Sequence, residues 1–116
     1  MTDADKAGNT DHWHDVAALD TLDADFPTGV LVEGHQIGLF MNGNDVHALE
    51  DVCPHAYALL SQGFQEDGYI ECPLHAAKFE IATGKCMNEM GQRDLKVFPI
   101  KVENGRVCVY VAPEQD

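Results

Sequence analysis

Two short segments of the chain pair a thiol with an imidazole: Cys53-Pro54-His55 and Cys72-Pro73-Leu74-His75, with sixteen residues between His55 and Cys72. Thiolate and imidazole are ligands of zinc and of iron–sulfur centres. The proline directly after each cysteine fixes φ and removes a backbone donor, which stiffens a tight loop. A zinc site built from two Cys and two His usually takes both cysteines from one knuckle and both histidines from another. Here the two types interleave. A binuclear iron–sulfur centre accommodates that order, because its irons can divide the ligands, cysteines on one and histidines on the other. The residues therefore point to a [2Fe–2S] centre held by Cys53, His55, Cys72 and His75, with a zinc-stabilised interaction module as the alternative.

Ligands on two separate loops need a scaffold that holds the loops side by side. Outside the ligand segments the apolar residues alternate or form short β-branched runs, and turns come often. Strands are expected over residues 13–19, 30–32, 37–41, 46–49, 95–102 and 107–111. Turns are expected at Phe26-Pro27-Thr28-Gly29, at Asn42-Gly43-Asn44-Asp45 and at Asn104-Gly105. No segment sustains a helical stripe. The fold class that follows is all-β, an antiparallel β-sandwich with a small loop-rich cluster-binding subdomain at one end, over residues 50–84. Residues 1–11 read as a flexible N-terminus, 12–113 as one domain and 114–116 as a tail, within a 116-residue chain that can bury a single core.

Charge and cysteine usage narrow the setting. The formal net charge is −13, and fourteen of the twenty acids but only one of the seven bases precede Lys78. Such a surface repels nucleic acid and anionic lipid and favours a basic protein partner. The start, MTDADKAGNTD, carries no apolar signal segment, and no run approaches the roughly 20 apolar residues of a membrane span, so a soluble, cytoplasmic chain is expected. In that reducing compartment cysteines near histidines favour metal over disulfides. No G-x-G-x-x-G fingerprint and no P-loop is present. Nor does a second group of ligands stand out for a mononuclear iron, so the chain is expected to carry electrons rather than catalyse, and to receive them from a partner.

The sequence resembles the Rieske-type ferredoxins of bacterial aromatic-ring-hydroxylating dioxygenase systems. The resemblance spans residues 13–111 and rests on Cys53-Pro54-His55, Leu60-Ser61-Gln62-Gly63, Cys72-Pro73-Leu74-His75, Phe79-Glu80-Ile81-Ala82-Thr83-Gly84 and Val97-Phe98-Pro99-Ile100-Lys101-Val102. It implies one [2Fe–2S] cluster, with Cys53 and Cys72 on the buried iron and His55 and His75 on the outer one. It also implies two partners, a flavin-containing NAD(P)H-dependent ferredoxin reductase that supplies the electron and a terminal oxygenase that takes it. A Rieske small subunit of another redox enzyme, such as an assimilatory nitrite reductase, is the second reading. Glu50, Asp51, Glu66, Asp67 and Glu71 flank the ligand loops and are candidates for docking onto basic partner surfaces. A carrier that alternates between partners gains from being monomeric, so a monomer is expected. Cys86 and Cys108 are expected to be structural.

The chain departs from the Rieske proteins of cytochrome bc complexes in ways that bear on potential. Those have an additional cysteine in each loop, forming a disulfide, and a serine and a tyrosine that donate to cluster or ligand sulfur. The matching positions here are Ala58, Leu74, Ala77 and Phe79. Donors to sulfur stabilise the added negative charge of the reduced state, so their absence lowers the potential. The midpoint potential is expected near the bottom of the Rieske range, about −150 mV. Voltammetry checks this, and a strongly positive midpoint would refute it.

Overall fold

The computed structural model describes residues 12–54, 58–74, 77–88 and 93–112. Ten strands are present among them: β1 (Trp13–Ala18), β2 (Thr28–Val32), β3 (His35–Asn42), β4 (Asp45–Glu50), β5 (Phe64–Glu66), β6 (Tyr69–Glu71), β7 (Lys78–Glu80), β8 (Val97–Phe98), β9 (Ile100–Glu103) and β10 (Arg106–Tyr110). They form three antiparallel sheets, ordered β1-β10-β9, β2-β3-β4-β8 and β5-β6-β7. No α-helix occurs among the described residues; single 3-10 turns stand at Leu19–Thr21 and Leu60–Gln62. The all-β antiparallel expectation agrees with this architecture.

Local chemistry explains the hairpins. Asn104 (φ 54°) and Gly105 (φ 77°) form the two-residue turn between β9 and β10, and Asp67 (φ 52°) and Gly68 (φ 83°) form the one between β5 and β6. Both residues of each turn are left-handed, the type I′ geometry whose twist matches the flanking strands. The Asp-Gly turn is a signal of the same kind as Asn-Gly, and it places a hairpin where only loop is expected from the sequence. The described part of residues 50–84 accordingly holds more strand than expected, since it contains the β5-β6-β7 sheet.

Several strand boundaries differ from expectation, three of them for identifiable local reasons. β1 stops at Ala18, one residue short, where the 3-10 turn begins. Thr28 and Gly29 are not turn residues; they pair with Leu39 and Gly38 in β2, and the chain reverses earlier, where Phe26 N–H donates to Asp23 O at 3.2 Å. The third difference matters most. Residues 95–102 are not one strand, because Pro99 divides them: β8 pairs with β4, whereas β9 pairs with β10. Proline has no N–H to give a ladder, and here it marks the corner at which the chain leaves one sheet for the other. Its carbonyl still accepts Tyr110 N–H at 2.9 Å.

The core lies on both faces of the β3–β4 hairpin. Ile37, Leu39 and Ala48 point into one cluster with Val32, Phe98, Val109 and Val111, the filling between the two larger sheets. Their chain neighbours Phe40 and Leu49 point the other way, into a cluster with Leu60, Ile70, Phe79, Ile81 and Leu95. Side chains alternate across a strand, so two adjacent buried residues require both faces to be covered. The small β5-β6-β7 sheet therefore rests on the back of the sandwich sheet.

Close packing at Gly38 follows from this arrangement. A Cβ there would stand 2.6 Å from the Phe40 ring and 2.9 Å from Asp51 Oδ1, whereas a Cβ at the turn residue Gly43 would meet nothing within 4 Å. Gly38→Ala is expected to cost about 1–3 kcal/mol by overpacking, and Gly43→Ala about 1 kcal/mol, for its positive φ alone. Thermal unfolding of the two variants checks the ranking, and Gly43→Ala proving the worse would refute the packing argument.

Candidate metal centre

Each cysteine-bearing segment is the tip of a hairpin, and the two tips are built alike. In the first, Val52 and Leu59 form an antiparallel bridge, and Cys53 N–H donates to Ala58 O at 2.8 Å. In the second, Glu71 pairs with Lys78, and Cys72 N–H donates to Ala77 O at 2.8 Å. The same bond thus closes both loops, from a cysteine to the carbonyl five residues later. Cys53 and Cys72 are 2% and 1% exposed and belong to the same apolar cluster, with Leu60, Ala77, Phe79 and Ile81. His55 and His75, expected as the remaining ligands, lie outside the described residues.

This donor set fits an iron–sulfur centre. No disulfide joins any two of the cysteines among the described residues. A thiolate buried among hydrocarbon is costly unless a cation neutralises it, and soft thiolate ligands select iron–sulfur clusters, zinc or cuprous ion. Two loops closed by the same bond each place one buried cysteine in a single apolar cluster, which suits a pair of soft ligands to a centre kept from water. Ala58 is half-buried and Leu74 is 62% exposed, and the fully buried Ala77 and Phe79 bring no hydroxyl to the pocket.

Of the remaining thiols, Cys86 is half-buried against the same apolar cluster and Cys108 lies in the β1-β10-β9 sheet. Cys86 bridges to Phe79, its N–H donates to Asp94 Oδ1 at 2.8 Å and its thiol to Asn88 O at 2.7 Å. Cys108 lies buried in β10, where burial and then the charge of Asp15 push its thiol pKa up.

The five flanking acids separate into distinct environments. Asp51 is fully buried, which rules out a docking role. Its carboxylate accepts Ser61 N–H at 2.6 Å and the Ser61 hydroxyl at 2.7 Å. Burial raises its pKa, and the two Ser61 bonds oppose the rise. Glu50 is half-buried and occupied by a bidentate pair with Arg93 (2.9 and 2.7 Å), and it also accepts Lys96 N–H at 3.0 Å. Burial works to raise its pKa, but Arg93 and Lys96 outweigh it and hold the carboxyl low. Glu71 is half-buried between Phe64 and Lys78. Glu66 and Asp67 are exposed, but at the turn end of β5–β6, one strand length from Cys72, where they line an acidic groove with Asp25 and Glu80. Ser61 and its bond to Asp51 were not anticipated from sequence. The available signal was the Leu60-Ser61-Gln62-Gly63 segment, whose partner cannot be read from its neighbours.

Comparison with known proteins now bears on the same residues. A family model described as the Rieske [2Fe-2S] domain matches residues 12–99. The chain is 39% identical over 100 residues to the ferredoxin component of naphthalene 1,2-dioxygenase/salicylate 5-hydroxylase systems of Ralstonia sp., covering 86% of this chain and 96% of the relative. It is 35% identical over 111 residues to the anthranilate 1,2-dioxygenase ferredoxin subunit of Burkholderia cepacia, covering 96% and 99%. Among solved structures it is similar, at TM-score 0.82 and 28% identity, to a chain from the complex of reduced oxygenase and oxidised ferredoxin in carbazole 1,9a-dioxygenase, covering 92% of this chain and all of that one.

The Glu50–Arg93 pair makes a testable claim about acid stability. A carboxyl held below its ordinary pKa stabilises the fold fully above that ordinary value, and the stabilisation is lost as pH falls through the depressed one. Glu50→Gln is expected to lower stability at neutral pH, and the gap to the wild type is expected to close as pH drops below the ordinary carboxylate range. Urea unfolding across pH measures this, and a gap that stays constant into acid would refute it.

Proposed function

The chain belongs to the Rieske [2Fe–2S] domain family, and we propose from that premise that it is the ferredoxin component of an aromatic-ring-hydroxylating dioxygenase system. Its role is to carry single electrons to a terminal oxygenase. The observation that carries this reading is the twin closure of the two cysteine loops, each by the same bond and each placing its cysteine in one buried apolar cluster. The relatives reported above are all named for dioxygenase systems, which favours this role over a nitrite reductase subunit.

The residues would act as follows. When bound, a [2Fe–2S] cluster supplies a one-electron change between its oxidised and reduced states. Cys53 and Cys72 would hold the inner iron, and their pocket of Leu60, Phe79 and Ile81 keeps water from the sulfurs. His55 and His75 would hold the outer iron, from loop positions between the closing cysteine and alanine. Leu74 stands 62% exposed beside the second loop's histidine in sequence, an apolar contact for a partner. Glu66 and Asp67 add an acidic surface at the opposite end of the β5–β6 hairpin from Cys72. Two alternating partners fit such a surface, a flavin-containing NAD(P)H-dependent reductase and the oxygenase, with the carrier itself a cytoplasmic monomer. Among the described residues no helix is long and apolar enough to cross a membrane.

Anaerobically purified protein is expected to be red-brown, with two irons and two sulfides per chain. After dithionite it should give a rhombic EPR signal with an average g below that of all-cysteine ferredoxins. Cys53→Ser and Cys72→Ser are expected to lose the colour. Reduction by a ferredoxin reductase should slow as ionic strength rises, because opposite surface charges are screened. A colourless wild type holding one zinc would overturn the redox reading, and a rate indifferent to salt would remove the acids from docking.

A further inference from the structure

The unusual feature beside the cysteine loops is a buried carboxylate. Asp51 lies two residues before Cys53 and is fully enclosed. Its backbone is held on two sides: Asp51 N–H donates to Gln36 O of β3 at 3.0 Å, and Leu60 N–H donates to Asp51 O at 2.6 Å. Its side chain takes the two Ser61 bonds already described. The space it fills is made by two glycines that face each other across β2 and β3. A Cβ on Gly29 would stand 3.0 Å from Asp51 Oδ2, and one on Gly38 2.9 Å from Oδ1. An apolar side chain would fill that space without the solvation penalty of a buried carboxylate. What it would lack is direction: two acceptor oxygens aimed at one N–H and one O–H hold the 60–62 turn in a single orientation.

That turn touches the second loop as well. Leu60 packs in the cluster that holds both cysteines. Gly63, the residue after the turn, lies so close to β6 that a Cβ would come within 2.0 Å of Glu71 O, the carbonyl just before Cys72. The four residues Leu60-Ser61-Gln62-Gly63 therefore connect the start of one cysteine loop to the start of the other. We propose that Asp51 is a positioning residue for the metal centre, acting through Ser61 to fix the 60–63 segment and so the relative placement of the two cysteine loops. This rests on Cys53 and Cys72 being cluster ligands.

The test uses holoprotein of the wild type, Asp51→Ala, Asp51→Asn, Ser61→Ala and the Asp51→Ala/Ser61→Ala double variant. Bleaching of the visible absorption by an iron chelator and the EPR g values of the reduced state are the readouts. Far-UV circular dichroism establishes that each variant keeps its sheets. Ser61→Ala and Asp51→Ala are expected to bleach roughly tenfold faster, the scale of one lost buried hydrogen bond, and to shift the g values. The double variant should bleach no faster than the worse single, because the two residues form one interaction. Asp51→Asn should remain within about twofold of the wild type with unchanged g values, since an amide can accept from Ser61 N–H and donate to Ser61 Oγ. If Asp51→Ala fails to fold, Ser61→Ala and Asp51→Asn decide the matter alone. A coloured wild type whose Ser61→Ala variant matches it in bleaching and g values overturns the positioning role only. Asp51→Asn as defective as Ser61→Ala overturns the geometric basis in favour of charge. A wild type without a cluster overturns the metal-centre reading and this inference together.

Discussion

Two thiols from distant parts of the chain must share one dry pocket, and the rest of the structure can be understood as the means of holding them there. A hairpin tip by itself is not rigid. Its cysteine is placed only as well as the strands beneath it, and each tip here rests on a pairing of very few residues. The stiffness comes from below, where the β3–β4 hairpin is covered on both faces and Ala48 and Leu49 point into opposite cores. Any slip of register in β4 would move Cys53, which follows it after two residues. The sandwich core thus does for the first loop what β6, anchored in the same inner cluster through Ile70, does for the second.

The polar groups near the loops are used inward before any are offered outward. Asp51 is enclosed and bound to Ser61; Glu50 ties Arg93 and the Lys96 amide to the end of β4. Both are neighbours of Cys53 in sequence, and both are spent on holding the base of its loop. The acids that remain exposed, Glu66 and Asp67, stand at the far end of the β5–β6 hairpin, beside Asp25 and Glu80. The molecule is thus differentiated along its length, with apolar contact and buried sulfur at the loop end and negative charge further back. A carrier that must meet partners briefly benefits from such separation. Long-range charge speeds the encounter, and a small apolar contact lets the partner go.

Legibility in the sequence followed the range of the physics involved. The Asn-Gly turn, the alternating strands and the cysteine–proline loops were readable because each depends on residues a few positions apart. Pro99 was a local signal too, yet the strand it divides was read as continuous. Apolar residues stand on both sides of the proline, and it is the pairing with different sheets that separates the halves. Asp51 was grouped with the docking acids because Glu50-Asp51 looks like any acidic pair. Its burial depends on Ser61 ten positions later and on two glycines in strands that precede it.

By itself the sequence carried the Cys and His donor types, their interleaved order and the all-β class, because donor chemistry and periodicity are local properties, and its motifs carried the resemblance that implied the family and its cofactor. Only the tertiary structure decided that the two cysteine loops are closed by the same bond, that both cysteines belong to one buried apolar cluster, and that a buried carboxylate beside them faces inward. Those outcomes rest on distances between residues far apart in the chain, and local composition carries no record of which strands will lie together.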